Sequence, residues 1–265
     1  MQKKLEDLTI KDAFMFAAVM ADEEQCRKFL EVALEMDILE VQVVTERSFS
    51  YHPEYHGVRL DVLAEEKGTK RRFNVEMQVK KEVALDKRSR YYHAQMTMDT
   101  LLAGQNYEQL PDTYVIFICD FDPYKKGLYK YIARMRIDNI GDALSDGQIT
   151  VVLSSKGKNA DQVPRELVNF LQYVNDPEKT AAIESLLVDD IKERIEKIKK
   201  SRRWEERYML LEEMMRDERL EAQQEERKRM SQLIQMLLKQ NRIDDVKKVT
   251  ENSEYCELLL KEFNL

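Results

Sequence analysis

Cysteine is scarce in this 265-residue sequence, because Cys26, Cys119 and Cys256 are widely separated and form no CxxC pair. An odd, scattered set excludes a disulfide framework and is typical of a reducing compartment. Long apolar runs are also missing, since stretches such as 113–119 fall far short of the roughly 20 residues that span a bilayer. The first twelve residues contain no apolar segment of the secretory-signal kind. We therefore expect a soluble, cytoplasmic protein that does not associate with membranes.

Glycine and proline are sparse too, with 7 and 5 residues, whereas 43% of the residues are hydrophobic and 35% are charged. This composition excludes a collagen-like or globally disordered chain and leaves ample apolar material for a core. The net charge of −7 argues against indiscriminate coating of nucleic acid, because such binding depends on neutralising phosphates. The charge is uneven, however, since residues 67–90 contain nine Lys and Arg against three Asp and Glu. A local basic site is therefore compatible with an acidic chain.

The chain divides into parts of different character. Residues 181–265 contain no Gly or Pro and are richer in charge than residues 1–180. That composition predicts an extended charged helix over 181–240, continuous over about 188–238, followed by a short helical segment over 241–265. Residues 1–180 are expected to form the folded domain.

The long helix carries an apolar stripe at spacings of four, three and four residues, formed by Trp204, Tyr208, Leu211 and Met215. A second stripe follows at Leu233, Met236 and Leu237, and the stretch between the two is polar all round. Such a helix forms at most a loose coiled coil. Two arrangements stay open: the stripe packs on a second copy of the chain, making a homo-oligomer, or it folds back on the core.

Residues 1–180 alternate between helical and strand patterns. The patterns predict a helix that opens at a Thr9–Asp12 capping box, helices over 22–36 and 85–103 and from 164, and strands over 41–50, 58–63, 72–79, 114–118, 129–137 and 149–153. A turn at 66–69 predicts an antiparallel hairpin, and the apolar run 114–118 is typical of a strand buried on both faces. We expect an α/β domain whose mixed sheet is flanked by helices.

The predicted hairpin carries the residues best suited to catalysis or metal binding. Strand alternation places Asp61 opposite the apolar face of the first strand, and Glu76 and Gln78 share one face of the second. Two carboxylates on neighbouring strands repel unless a cation lies between them, and a few hard oxygen ligands suit Mg²⁺. An acidic pair within a basic region is what metal-assisted phosphodiester hydrolysis requires. Isolated acidic residues on strands are also commonly just solvated, so spacing alone leaves both interpretations open.

A set of motifs, in order and spacing, resembles the Rpn-type recombination-promoting nucleases, also called PD-(D/E)XK nuclease family transposases. The set comprises VRLDV at 58–62, NVEMQ at 74–78, KRSRYY at 87–92, GQNYxxL at 104–110, the strand at 115–119 and DFDP at 120–123. The resemblance covers roughly residues 8–175 and, more loosely, the end of the chain.

This resemblance implies a restriction-endonuclease-like core in which Asp61, Glu76 and Gln78 are catalytic. Asp61 and Glu76 would bind Mg²⁺, which Mn²⁺ can replace, and the backbone carbonyl of Met77 would be a third ligand. Gln78 stands where the wider superfamily has a lysine, and glutamine can orient water but cannot supply positive charge. On this basis Gln78→Lys is expected to preserve or raise the rate.

Other residues have candidate roles around this pair. Asp12 is a candidate further metal ligand from the first helix, or else a capping residue that pairs with Thr9. Five residues are candidate contacts to nucleic acid: Lys80, Lys81, Arg88, Arg90 and Tyr91. Tyrosine at this spacing is also typical of a core or its rim.

Two functions remain in view. The first is a Mg²⁺-dependent DNA endonuclease of the recombination-promoting nuclease and transposase type, which the intact Asp61 and Glu76 pair favours. The second is a catalytically weak or inactive nuclease fold that serves as a DNA-binding or oligomeric interaction module, which Gln78 and the acidic net charge favour. A plasmid-nicking assay with and without metal separates them.

Overall fold

The computed structural model describes residues 3–49, 58–81, 84–98, 100–101, 104, 106–178, 184–263 and 265. The chain consists of two compact units, Met1–Ser201 and Arg202–Leu265. Each unit has its own packing and is described separately below.

The first unit opens with two helices, α1 (Ala13–Met20) and α2 (Glu23–Leu34). Residues 15–20 are all buried, so α1 is a core helix on every side. Asp22 caps α2, because its carboxylate accepts a hydrogen bond from the Gln25 backbone N–H. Helix α2 lies where the sequence predicted it, whereas α1 begins at Ala13, after the predicted start at the Thr9–Asp12 capping box.

The described residues of the first unit form a mixed six-stranded sheet in the order β1-β2-β3-β4-β6-β5. The strands are β1 (Val41–Phe49), β2 (Val58–Glu66), β3 (Arg72–Gln78), β4 (Thr113–Cys119), β5 (Lys130–Ala133) and β6 (Gln148–Ser154). The predicted hairpin is confirmed, since β2 and β3 pair antiparallel, while β3, β4 and β6 run parallel to one another. The apolar strand β4 lies at the centre and every residue in it is buried.

Helices cover the sheet on both faces, as expected. One face packs under α3 (Leu85–Met98), in a cluster formed by Leu63, Leu85, Tyr92, Met96, Val115, Phe117, Cys119 and Val152. The intervening strand residues, such as Val62, Val75 and Ile116, are equally buried and point to the opposite face, on the side of α1 and α2. Parallel strands buried on both faces explain the continuous apolar runs in the sequence.

Helix α3 ends earlier than the predicted residue 103. The Thr97 hydroxyl donates to the His93 carbonyl, and the Thr100 hydroxyl donates to the Thr97 carbonyl. Such bonds between threonine side chains and the backbone compete with helix continuation. Residues 99, 102 and 103 lie outside the described residues.

The first unit closes with α4 (Arg165–Asn175) and α5 (Leu186–Lys199). Helix α5 buries Leu187, Val188, Ile191, Ile195 and Ile198 and contacts α1, α2 and α4. The single helix expected over 188–238 is wrong, because α5 ends at Lys199 and α6 (Arg202–Lys239) begins after Ser201. No Gly or Pro marks this break; it lies where the buried stripe of α5 gives way to polar sequence.

The second unit consists of α6, α7 (Ile243–Glu251) and α8 (Ser253–Glu262). The end of α6 packs with the two short helices around a small core of Leu233, Leu237, Val249, Cys256, Leu259 and Leu260. Tyr208 and Leu211 of the first stripe are buried, whereas Met236 of the second is 37% exposed. Assembly through α6 stays a prediction. No helix among the described residues is long and apolar enough to cross a membrane.

Candidate functional site

Asp61 and Glu76 meet at the end of the β2–β3 hairpin. Backbone pairing between the two strands runs as far as Val62 and Val75, one residue short of the acidic pair. Beyond that point the Asp61 N–H donates to Oε1 of Glu76 at 3.3 Å, and the Met77 N–H donates to Oδ2 of Asp61 at 3.3 Å. Each carboxylate therefore contacts the backbone of the opposite strand, on one face of the sheet.

This pair is electrostatically costly. Glu76 is only 2% exposed, and burial, followed by the Asp61 carboxylate, raises its pKa to about 8. The Arg88 guanidinium opposes that shift but does not offset it. A buried Glu76 carboxylate beside the half-buried Asp61 carboxylate calls for a bound cation or a proton.

The Met77 carbonyl points toward the same place. The Gln78 carbonyl accepts a hydrogen bond from the Asp120 N–H, on the β4 side of β3. Successive backbone carbonyls of a strand point to opposite neighbours, so the Met77 carbonyl points to the β2 side, where Asp61 lies. Two carboxylates and one carbonyl are thus available at the open end of the hairpin.

Arg88 of α3 is joined to the acidic pair. Its Nη1 donates to Oε1 of Gln78 at 2.9 Å, and its Nη2 lies 3.5 Å from Oε2 of Glu76. Tyr92, one turn later, accepts from Nη2 of Arg88 at 2.7 Å and from its Nε at 3.2 Å. The guanidinium also lies over the rings of Tyr92 and Phe117, at 5.4 and 5.7 Å from their centroids. Arg88 is therefore a fixed cation of the site.

Asn74 belongs to the same face and was not singled out from the sequence. Its side chain is fully buried, and neither its amide oxygen nor its nitrogen has a hydrogen-bond partner among the described residues. It nevertheless lies close enough to Glu76 to lower the pKa of that carboxyl. An unsatisfied buried amide beside a carboxylate is unusual and suits a site completed by a ligand. Strand alternation from Glu76 and Gln78 was the signal that could have found it.

The remaining predicted residues divide between the surface and the core. Lys80, Lys81 and Arg90 are exposed, whereas Tyr91 is half-buried and packs on the α3 cluster. Asp12 accepts hydrogen bonds from the Thr9 N–H and hydroxyl and forms an ion pair with Lys3. It precedes α1 directly, so the predicted pairing with Thr9 forms within a turn ahead of the helix.

A basic loop beside the site was also missed. Asp122 accepts hydrogen bonds from the N–H groups of Tyr124, Lys125 and Gly127 and from the Tyr131 hydroxyl, which fixes the loop after β4. The Tyr124 hydroxyl donates to Asp86 in the first turn of α3, and Lys125 and Lys126 are exposed. The sequence signal was the DFDP motif followed by two lysines, whose position relative to α3 no local pattern reveals.

The donors fit a small hard cation. Within the described part of the chain no group of three or more His, Cys, Asp and Glu side chains could hold a metal ion, so Asp12 does not complete a three-carboxylate centre with Asp61 and Glu76. The pair offers instead two carboxylates and the Met77 carbonyl, an all-oxygen set that leaves positions for water and phosphate. The buried repulsion within the pair, which a bound cation would relieve, is the observation that supports the fit.

The model of a family described as PD-(D/E)XK nuclease family transposase matches residues 11–256, almost the whole chain. No curated protein and no solved structure matches.

Proposed function

The chain belongs to the PD-(D/E)XK nuclease family transposases, and on that premise we propose that it is a Mg²⁺-dependent DNA endonuclease in which Mn²⁺ can replace Mg²⁺. One observation carries the proposal: Asp61 and Glu76 are held together at the open end of a hairpin, with Glu76 buried and its pKa raised. A buried glutamate beside a second carboxylate, whose repulsion only a cation or a proton relieves, is a poor structural element but a suitable metal site.

Each residue of the site has a role in this proposal. Asp61, Glu76 and the Met77 carbonyl hold the cation. When bound, the cation supplies Lewis acidity for activating water and neutralises charge on the phosphate. Gln78 orients the attacking water through a hydrogen bond, because an amide cannot act as a general base near neutral pH.

Exposed lysines and arginines around the site hold the DNA backbone. Lys80 and Lys81 follow β3 directly, Arg90 lies on α3, and the loop bonded to α3 carries Lys125 and Lys126. These side chains read phosphate charge and not base sequence, so binding is expected to weaken steeply with salt and to show little sequence preference. Tyr91 contributes from the rim of the α3 cluster.

Plasmid nicking tests the proposal. Purified protein should relax supercoiled DNA with Mg²⁺ or Mn²⁺, EDTA should abolish the reaction, and Ca²⁺ should support DNA binding without cleavage. Asp61→Ala and Glu76→Ala should each remove activity while keeping the fold. Glu65→Ala is the matched control, because Glu65 lies on the same face of β2 but is 44% exposed and paired with Arg72.

The outcomes distinguish the two functions. Nicking that is lost in both site variants and kept in Glu65→Ala supports the enzyme. If wild type and Glu76→Ala nick equally, a contaminant is responsible. If wild type is inert under every divalent metal, the chain is a nuclease fold that acts by binding DNA or by self-assembly.

A further inference from the structure

In the proposed reaction, the negative charge that develops on the phosphate has no fixed positive partner among the residues given a role so far. Negative charge develops on the phosphate as water attacks, and the transition state is stabilised by fixed donors and cations. Asp61 and Glu76 are acidic, Gln78 is neutral, and Lys80 and Lys81 are exposed to solvent. Given the proposed function, on which the role inferred here rests, another protein group must fix the donors at this site.

Arg88 is the cation that the structure holds there. It is 26% exposed, and its guanidinium reaches Glu76 and Gln78 together through two different nitrogens. Its guanidinium is also held by Tyr92 and Phe117. The Tyr92 hydroxyl accepts a hydrogen bond from it, and it lies over the faces of both rings. A planar fork held in this way is positioned before substrate arrives.

This contact also fixes the orientation of Gln78. A guanidinium carries only donors, so the Gln78 atom that faces Arg88 is the amide oxygen. The amide nitrogen is then the outward donor, and no described residue accepts a hydrogen bond from it. Without Arg88 the amide could turn over and present its oxygen to a phosphate, which would repel it.

We propose that Arg88 is a positioning residue, which holds the Gln78 side chain so that its amide nitrogen donates to the attacking water or to a phosphate oxygen. Arg88 thus supplies from a helix the positive charge that Gln78 lacks on the strand. Under this proposal Gln78→Lys lowers activity, contrary to the expectation from sequence, because the new ammonium group meets the Arg88 guanidinium.

A double-mutant cycle in melting temperature tests the contact without metal or DNA. Gln78→Lys should lower the melting temperature of the full chain by about 4 °C, the size expected for a roughly 1–2 kcal/mol change in a unit of this length. In the Arg88→Met background, Gln78→Lys should lower the melting temperature by less than about 1 °C, since the opposing cation is gone. Additive effects would overturn the proposed contact.

Kinetics test the positioning role. Arg88→Met should lower kcat for nicking by about 100-fold while changing DNA affinity, measured with Ca²⁺, less than about threefold, because removal of one preorganised donor costs about 10²–10³ in kcat. Arg90→Met should instead weaken DNA binding measured with Ca²⁺, because the exposed Arg90 contributes to phosphate binding in the proposed function. The double variant Arg88→Met with Gln78→Lys should have a kcat at least tenfold higher than that of Arg88→Met alone, since the lysine returns a donor to the site.

Two further variants keep the test decisive. Arg27→Met is the matched control, because Arg27 is 27% exposed and bonded to Glu24 and Glu31 on α2; its kcat should equal that of wild type. Tyr92→Phe keeps the ring but removes the hydroxyl that holds Arg88, and it should lower kcat several-fold. If wild type nicks and Arg88→Met keeps its kcat, the positioning role fails alone; if wild type does not nick, the proposed function fails while the melting cycle still reports on the contact.

Discussion

The β2–β3 hairpin contains two buried glutamates, Glu66 at its turn and Glu76 near its open end, and they have opposite electrostatics. Their exposed fractions are 1% and 2%, and each has an arginine nearby. The pKa of Glu66 is lowered to about 2, whereas that of Glu76 is raised to about 8. Burial is therefore not what separates a structural carboxylate from a functional one.

Glu66 has every partner it requires. Burial alone raises its pKa, but Arg71 and Thr69, with the Leu39 N–H, outweigh that effect. Arg71 donates from Nη2 to Oε1 at 2.7 Å and from Nε to Oε2, a two-point contact, and the Leu39 N–H donates to Oε1 at 2.7 Å. This network fixes the turn and the segment before β1.

Glu76 lacks such partners. Arg88 approaches only to 3.5 Å and is shared with Gln78, and Asp61 adds a like charge although its N–H donates to Oε1 of Glu76 at 3.3 Å. One strand pair thus holds a completed ion pair at one end and an incomplete one at the other. The incomplete end is where a ligand can add binding energy.

The largest expected difference is in catalysis. Glu76→Gln should lower the nicking rate by about 10³-fold or more, because the loss of a carboxylate ligand removes several kcal/mol of metal-dependent stabilisation. Glu66→Gln should keep the wild-type rate per folded molecule. Single-turnover nicking, normalised to the folded fraction by circular dichroism, measures both, and equal losses would erase the distinction between the two ends.

The free energy of unfolding should respond in the reverse order, with the larger loss for Glu66→Gln. Glu66→Gln leaves Arg71 partly buried without its carboxylate and should lower the free energy of unfolding by about 3 kcal/mol. Glu76→Gln at pH 7 should keep or raise the free energy of unfolding, since a neutral side chain suits that position and no longer has to be protonated on folding. Urea unfolding of the metal-free protein gives both values; a larger loss for Glu76→Gln would mean that its carboxylate is structural.

Divalent cations should act at one end only. Mn²⁺ at a hundred times its dissociation constant should stabilise wild type by about 2.7 kcal/mol, by mass action. Glu66→Gln should gain as much, and Glu76→Gln should gain little. Melting curves with and without Mn²⁺ test this, with Glu65→Ala as a surface control; stabilisation that persists in Glu76→Gln would place the ion elsewhere.

The pH dependence of stability should have opposite signs at the two ends of the hairpin. Glu66 has a lowered folded pKa, so its stabilisation is present above the unfolded value near 4.3 and is lost as pH falls toward 2. Glu76 has a raised folded pKa, so stability is lost as pH rises from about 4.3 toward 8. By linkage each effect should be on the order of a few kcal/mol. Unfolding of metal-free Glu66→Gln and Glu76→Gln across pH 3–9 should flatten the acid and neutral parts of the profile respectively.

The sequence predicted the elements that depend on local patterns. Alternation along β2 and β3 placed Asp61, Glu76 and Gln78 on one face, and that placement agrees with the register in the structure. The contacts of Arg88 could not be predicted, because they depend on how α3 crosses the sheet, which local spacing does not encode. The break after Lys199 was missed for a similar reason, since neither Gly nor Pro marks it.

The turn at Glu66–Arg71 has a consequence for insertions and deletions. Surface turns ordinarily tolerate changes in length. Here the turn sets the pairing of Val62 with Val75, and with it the placement of Asp61 beside Glu76. One added residue would move every side chain of β3 to the other face of the sheet and send Glu76 toward α1 and α2. The two acids would then lie on opposite sides of the sheet, with neither of them substituted.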